Sequence, residues 1–380
     1  MVLAKETLAV HSGTIVDEMN GGILSPLFPA SSHKHLDMEE DVYPRHGNLA
    51  NQRAVAKKMC ALESGGEAAL VFSSGMAAFS TAMLSHLKAG DHIVLQNGVY
   101  SGAFKFIQNH FAKLGIGYSV SESCEVESII QSVQANTKAI YIETPTNPLL
   151  KILDIELLTR FAKSKGLFTI IDNTIAPPIN QNPLEYGVDL VLHSATKFLG
   201  GHGDVSGGIA VGSEESIALM TNYMNDFGGC LNAQSCHLLE RSLRTLAIRM
   251  NTINRNAMEL ALRLNEHPNV INVYYPGLSD HHNHSIAREQ MRGFGGMVSF
   301  EIAQRFDTTI FQKKLNLIVP SNSLGDLETT LNSPYQASSS FRSLSEAEQK
   351  KSGITRQLIR MSVGIENIND LYEDLHQALK

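Results

Sequence analysis

Cysteine is scarce in this chain: Cys60, Cys124, Cys230 and Cys236 are the only four among 380 residues. That number and scatter exclude a disulfide-framed secreted scaffold. Cys230 and Cys236 have no second pair at zinc-ligand spacing, so no metal is expected. Dense Lys/Arg runs are missing as well, and 31 basic against 38 acidic residues leave a formal charge of -7. A duplex nucleic-acid partner needs a basic stripe, so none is expected. Long apolar runs are also wanting. The most apolar stretch, AALVFSSGMAAFSTAML at residues 68–84, is broken by Ser73, Ser74 and Gly75. It reads as strand, turn and buried helix rather than a membrane span. Lys5 and Glu6 interrupt the opening residues where a secretory leader would be apolar, so a cytoplasmic protein without a membrane partner is the expectation. No fixed-period repeat or low-complexity linker occurs.

What remains is an ordinary globular composition, 43% hydrophobic and 18% charged, long enough for two or three domains and a large core. The first forty-odd residues carry Gly21, Gly22, Pro26 and Pro29 and read as an extended arm. A βα rhythm follows. Helical spacing at residues 50–62, 76–87, 103–114, 126–133 and 155–165 alternates with short strand-like runs: AALVF, HIVLQ, IGYSV, KAIYIE, LFTIID and DLVLHS. This alternation predicts an α/β fold, a mostly parallel sheet flanked by helices. Beyond it, a long helical stretch at residues 233–265 leads into strand-like NVINVYYPG and GGMVSFEI and a final helix near residues 369–379, predicting a smaller α+β C-terminal domain. The expected division is an arm at 1–49, a large domain at 50–247 and a C-terminal domain at 248–380.

In such sheets ligands bind at the carboxyl ends of strands. After AALVF, SSGMAA places Gly75 where a turn opens a helix, an arrangement that suits a phosphate or merely a tight turn. No Gly-Lys-Ser/Thr follows and no GxGxxG is present, so neither a Walker loop nor a dinucleotide fingerprint is in play. Asp172 ends LFTIID, a carboxylate that needs a cationic partner or several donors unless it only caps the next turn. Lys197 follows DLVLHS amid Ser194 and Thr196 and precedes a glycine-rich loop, an unusual place for a solubilising lysine. A phosphate for Gly75, a cation for Asp172 and an electrophilic carbon for Lys197 together describe pyridoxal phosphate.

The stretches SSGMAA, ETPTNP, IDNT, HSATKFLGGHGDVSGG, SLGDLET and LIRMSVGIE fall in an order that resembles the Cys/Met-metabolism (trans-sulfuration) family of pyridoxal-phosphate (PLP) enzymes, from about Leu8 to the C-terminus. The resemblance implies the type I fold of PLP-dependent transferases. It implies pyridoxal 5'-phosphate held as a Schiff base on Lys197, its pyridine nitrogen paired with Asp172 and its phosphate cradled by Gly75, Met76, Ser194 and Thr196. Tyr100 matches the tyrosine that stacks on the cofactor ring and takes part in catalysis. Asn147 matches the asparagine near the pyridoxal oxygen and substrate carboxylate, and Ser323 and Arg360 match the carboxylate site. Tyr43 and Arg45 match residues that complete a neighbouring subunit's phosphate site, which implies a homotetramer built of two catalytic dimers.

Some positions depart from the family pattern. Where the family reads Tyr-Ser-Arg, two variable residues and Asn-Pro-Thr, this chain has YPRHGNLAN, with Pro44, Leu49 and Ala50. Ser101, Gly102 and Ala103 follow Tyr100, without the cysteine typical of many methionine γ-lyases. Asn322 stands where cystathionine-handling members often carry Glu. The implied activity is a C–S lyase working by γ-elimination on methionine, homocysteine or cystathionine, releasing a 2-oxo acid, ammonia and a thiol. The alternative is a γ-replacement enzyme such as cystathionine γ-synthase, using an O-acyl-homoserine and cysteine. His281, His282 and His284 read as a structural turn, and Arg241, Arg244 and Arg249 as ion-paired surface.

Overall fold

The computed structural model describes residues 3–337 and 353–380. It divides into two units, residues 1–143 with 154–247 and residues 144–153 with 248–380.

The first unit is built on a seven-stranded sheet. Its strands are β1 (Ala68–Phe72), β2 (His92–Leu95), β3 (Gly117–Val120), β4 (Thr137–Glu143), β5 (Phe168–Asp172), β6 (Leu190–Ser194) and β7 (Gly208–Gly212). They lie in the order β1-β7-β6-β5-β4-β2-β3. β2, β3, β4, β5 and β6 pair in parallel, and β7 runs antiparallel between β6 and β1. The near-continuous apolar runs noted in the sequence are what a sheet covered on both faces requires. Phe72, Phe79, Met83, Ile93, Tyr141 and Ile170 are wholly or almost wholly buried in one core cluster. Polar side chains fix the helix starts. Ser74 Oγ accepts from Ala77 N–H at 3.1 Å, Asp154 Oδ1 from Leu157 N–H at 2.8 Å and Asn232 Oδ1 from Ser235 N–H at 2.9 Å.

β7 lies outside the strands read from the sequence, because its Gly and Ala residues look like a continuation of the glycine-rich loop. The opening residues are not extended throughout: a helix spans Lys5–His11. Lys5 Nζ pins it, donating to the Leu62 and Pro178 carbonyls at 2.8 Å each. The long helical stretch after Asn232 is two helices, Ala233–Leu243 and Leu246–Asn265. Between them Thr245 turns back on Ser242, its N–H and Oγ1 both donating to that carbonyl at 3.2 and 3.0 Å. Arg249 is buried rather than on the surface.

The second unit carries a five-stranded sheet in the order β10-β11-β12-β9-β8. Its strands are β8 (Val270–Tyr274), β9 (Met297–Ile302), β10 (Val319–Pro320), β11 (Thr330–Asn332) and β12 (Leu358–Ser362). Period-2 alternation sends Val298, Phe300, Leu331, Ile359 and Met361 into a core with Phe311, Leu371 and Leu375. Ser299, Arg360 and Asn332 are register partners across β9, β12 and β11 and share the opposite face. His284 opens the helix His284–Gln290, its Nδ1 2.8 Å from the Pro276 carbonyl oxygen.

Candidate active site

Three neighbouring strands of the first unit, β4, β5 and β6, end side by side on Glu143, Asp172 and Ser194. Thr174 ties two of these ends together. Its Oγ1 donates to Asp172 Oδ1 at 2.5 Å and accepts from Ser194 N–H at 2.8 Å, while its own N–H reaches the same Oδ1 at 3.0 Å. The Tyr141 hydroxyl donates to Asp172 Oδ2 at 3.5 Å. Lys197 lies three residues past Ser194, half-buried in a turn. That turn is closed by Lys197 N–H to the Ser194 carbonyl at 3.2 Å and Gly201 N–H to the Lys197 carbonyl at 2.8 Å. Thr196 Oγ1 accepts from Gly207 N–H at 3.1 Å, fastening the turn to the entry of β7.

The helix Gly75–His86 begins against this turn. A Cβ on Gly75 would lie 2.9 Å from Ser194 Cβ, so only glycine permits the approach. The first N–H groups of a helix have no partner within it, so those of Gly75 and Met76 are free to meet an anion. Tyr100, 52% exposed, precedes the helix Ser101–His110. Its ring folds back over Gly102, where a Cβ would lie 2.9 Å from Tyr100 Cζ. Its N–H donates to Glu143 Oε2 at 2.8 Å. Gly75, Met76, Tyr100, Asp172, Ser194, Thr196 and Lys197 thus belong to one unit, gathered around three strand ends. Tyr43 and Arg45 belong to it too but bond elsewhere: the Arg45 guanidinium lies over the Tyr43 ring and donates to the Asn225 carbonyl.

The other predicted site residues lie in the second unit. Arg360 is 8% exposed and donates through one terminal nitrogen to the carbonyls of Asn322 and Ser323, 3.1 Å each. Its Nε is buried without a hydrogen-bond partner among the described residues, a donor that suits a carboxylate. Asn147 precedes Pro148, whose carbonyl accepts from Ser299 Oγ at 2.7 Å.

The family model for Cys/Met metabolism PLP-dependent enzymes matches residues 6–380. The chain belongs to this family. It is 40% identical to a cystathionine gamma-lyase of Bacillus subtilis, over all of both chains. It is 38% identical to a cystathionine beta-lyase of Lactococcus lactis, covering 99% of this chain and 98% of the other. A crystal structure of cystathionine gamma synthase from Xanthomonas oryzae, in complex with cystathionine, superposes with a TM-score of 0.94 at 31% identity, covering 100% of this chain and 98% of that one.

The family's cofactor fits what these residues leave open. Asp172 and Glu143 are direct register partners on β5 and β4, two acids side by side. Both are buried or nearly so within the strand-end site. Burial drives the Glu143 carboxyl well above its ordinary range and negative Asp172 drives it further, while the Tyr100 N–H opposes both. Burial also raises Asp172, against the two Thr174 bonds and neighbouring His193. Such a pair calls for a cation, and a protonated pyridine ring is one. The Gly75 helix start calls for an anion, and a phosphate is one.

Glu143 is absent from the residues singled out in the sequence, although it ends KAIYIE just as Asp172 ends LFTIID. Thr174 is missed as well, since nothing local marks its two hydrogen bonds to Asp172. Asn332, the register partner of Arg360, had no signal at all because β11 is three residues long. Behind β6, His193 Nε2 and Glu63 Oε1 lie 2.6 Å apart, both wholly buried.

Proposed function

We propose that this member of the family is a C–S lyase of sulfur amino-acid metabolism, acting by γ-elimination on cystathionine, homocysteine or methionine. The observation that carries the reading is 40% identity, over the full length of both chains, to a cystathionine gamma-lyase. Likeness to the solved gamma synthase keeps γ-replacement on an O-acyl-homoserine with cysteine as the second reading.

Pyridoxal phosphate, when bound, supplies an aldehyde for amines and an electron sink for charge developing at an amino acid's α-carbon. Lys197 Nζ would be the amine that holds it, and the same nitrogen would be the base for the substrate's α-proton. Gly75 and Met76 N–H groups, with Ser194 and Thr196, hold the phosphate. Asp172, oriented by Thr174, keeps the ring nitrogen protonated. Arg360 binds the α-carboxylate with its unpartnered Nε, assisted by Ser323 and Asn147. The Tyr100 hydroxyl exchanges a proton with the leaving group. Tyr43 and Arg45 complete the phosphate site of a neighbouring copy in a cytoplasmic homotetramer. That part is supported by the exposed apolar residues Met19, Ile23 and Leu36, 91%, 82% and 72% accessible in a single chain.

The test is a product assay on cofactor-loaded protein given methionine, homocysteine, cystathionine, cysteine, or an O-acyl-homoserine with and without cysteine. Keto acid formed without an acceptor thiol is expected, 2-oxobutanoate marking γ-elimination and pyruvate β-elimination. Cystathionine formed only from ester plus cysteine would overturn the lyase reading in favour of the synthase.

A further inference from the structure

We propose that Gln52 is a positioning residue, whose buried carboxamide fixes the turn that carries Arg45, so that Arg45 is aimed at a phosphate. The inference rests on the functional reading above, in which Arg45 completes a neighbouring copy's phosphate site, and extends it to a residue that reading does not use.

Arg45 lies in the short turn Pro44–His46, just before the helix Ala50–Leu62. It is exposed, so the course of its backbone, rather than the packing of its side chain, sets where the guanidinium can reach. Gln52 is the third residue of the helix and only 1% exposed. Its Oε1 accepts the Leu49 N–H at 2.8 Å. Leucine has no side-chain acceptor to cap a helix start, and Gln52 reaches back to bond the residue that stands there. A plain helix cap would need nothing more. Yet Nε2 is used as well, donating to the Pro44 carbonyl at 2.9 Å and to the Leu231 carbonyl at 2.7 Å. This arrangement admits no flip. Exchanging the amide's oxygen and nitrogen would set an oxygen against two carbonyls and an N–H against an N–H. The Pro44 carbonyl also accepts the Gly47 N–H at 3.2 Å, the bond that closes the turn. Leu231 follows Cys230, which bridges to Phe72 at the end of β1. Gln52 therefore ties the Arg45 turn both to its own helix and to the segment beside β1.

The experiment titrates the full-length protein, freed of cofactor, with pyridoxal phosphate and in parallel with pyridoxal, which lacks the phosphate. Wild type, Gln52→Met, Arg45→Ala and the double variant are compared. Methionine keeps the length of the side chain but cannot donate to either carbonyl. Gln52→Met is expected to weaken pyridoxal phosphate binding about tenfold, the scale of one hydrogen bond to a charged group, and to leave pyridoxal binding unchanged. Because Gln52 acts through Arg45, the substitution should add nothing on top of Arg45→Ala. A residue that merely supports packing would weaken both ligands alike, or add its full effect in the double variant; either result overturns the proposal. If Gln52→Met fails to fold, Gln52→Asn, one methylene shorter, withdraws the amide from the Pro44 carbonyl and is read in the same way. Wild type that binds no pyridoxal phosphate, or Arg45→Ala that binds it as tightly as wild type, would overturn the functional reading, in whole or at Arg45, and this proposal with it. Weakened binding in Arg45→Ala with unchanged binding in Gln52→Met would overturn the proposal alone.

Discussion

Gly75 and Ser194 approach so closely that no methyl group fits between them: a Cβ on Gly75 would stand 2.9 Å from Ser194 Cβ and 3.1 Å from its Oγ. Gly208, the register partner of Ser194 on β7, comes equally close: a Cβ there would lie 3.0 Å from Gly75 Cα. The helix start is therefore packed tightly against two neighbouring strands. Gly75→Ala is expected to cost about 1–3 kcal/mol by overpacking and to weaken cofactor binding. Thermal unfolding and a titration with pyridoxal phosphate check both halves.

Gly102 plays a related part for Tyr100. Because the ring lies over it, Gly102→Ala should push the ring off its present position while leaving the fold intact. A displacement of about an ångström at a reacting group costs up to about 10²-fold, so kcat should fall with little change in melting temperature. An unchanged kcat would show that Tyr100 stays out of the rate-limiting proton transfer.

Arg360 offers a clean separation of binding from chemistry. Lysine keeps the charge but lacks the guanidinium fork and cannot replace the donor at Nε. Arg360→Lys should raise KM about tenfold or more, the scale of one lost charge-assisted hydrogen bond, with a smaller effect on kcat. Steady-state kinetics with the best substrate decides it.

Lys58 predicts a pH dependence. Its side chain is wholly buried, Nζ donating to the Ala9 carbonyl at 2.9 Å. Burial lowers its pKa from 10.5 to about 8, partly offset by Glu240 and reinforced by Arg244. The unfolded chain keeps this proton up to about pH 10.5, the folded one only to about 8. Across that window the unfolded state binds more protons, so raising pH favours folding, and the burden is fully present below pH 8. The melting temperature of wild type relative to Lys58→Met should therefore climb between about pH 8 and pH 10. A constant difference would contradict this.

Much of the sheet was legible because buried parallel strands must be short apolar runs. AALVF is β1 residue for residue, and the helix at 50–62 has the bounds its spacing indicated. β7 was not, since GIAVG is paired by its neighbours β6 and β1 rather than by its own propensity. The break at Thr245 depends on a side-chain bond that leaves the apolar periodicity untouched. In the site, Asp172 and Lys197 stood out because each polar residue ends an apolar run. Glu143 carried the same mark, yet its meaning comes from β4 pairing with β5, and register across strands far apart in sequence cannot be read from either alone. Arg360 was named through a motif, while the alternation that turns it away from Ile359 and Met361, toward Ser299 and Asn332, appears only once β12 is seen between β9 and β11.

The central claim is that this strand-end site holds pyridoxal phosphate on Lys197. Borohydride reduction of the cofactor-loaded protein, followed by proteolysis and mass measurement of the peptides, tests it most directly. The account predicts one reduced pyridoxyl adduct, on the peptide carrying Lys197 and absent from Lys197→Ala. An adduct on another lysine, or none on a protein that turns over substrate, would contradict it.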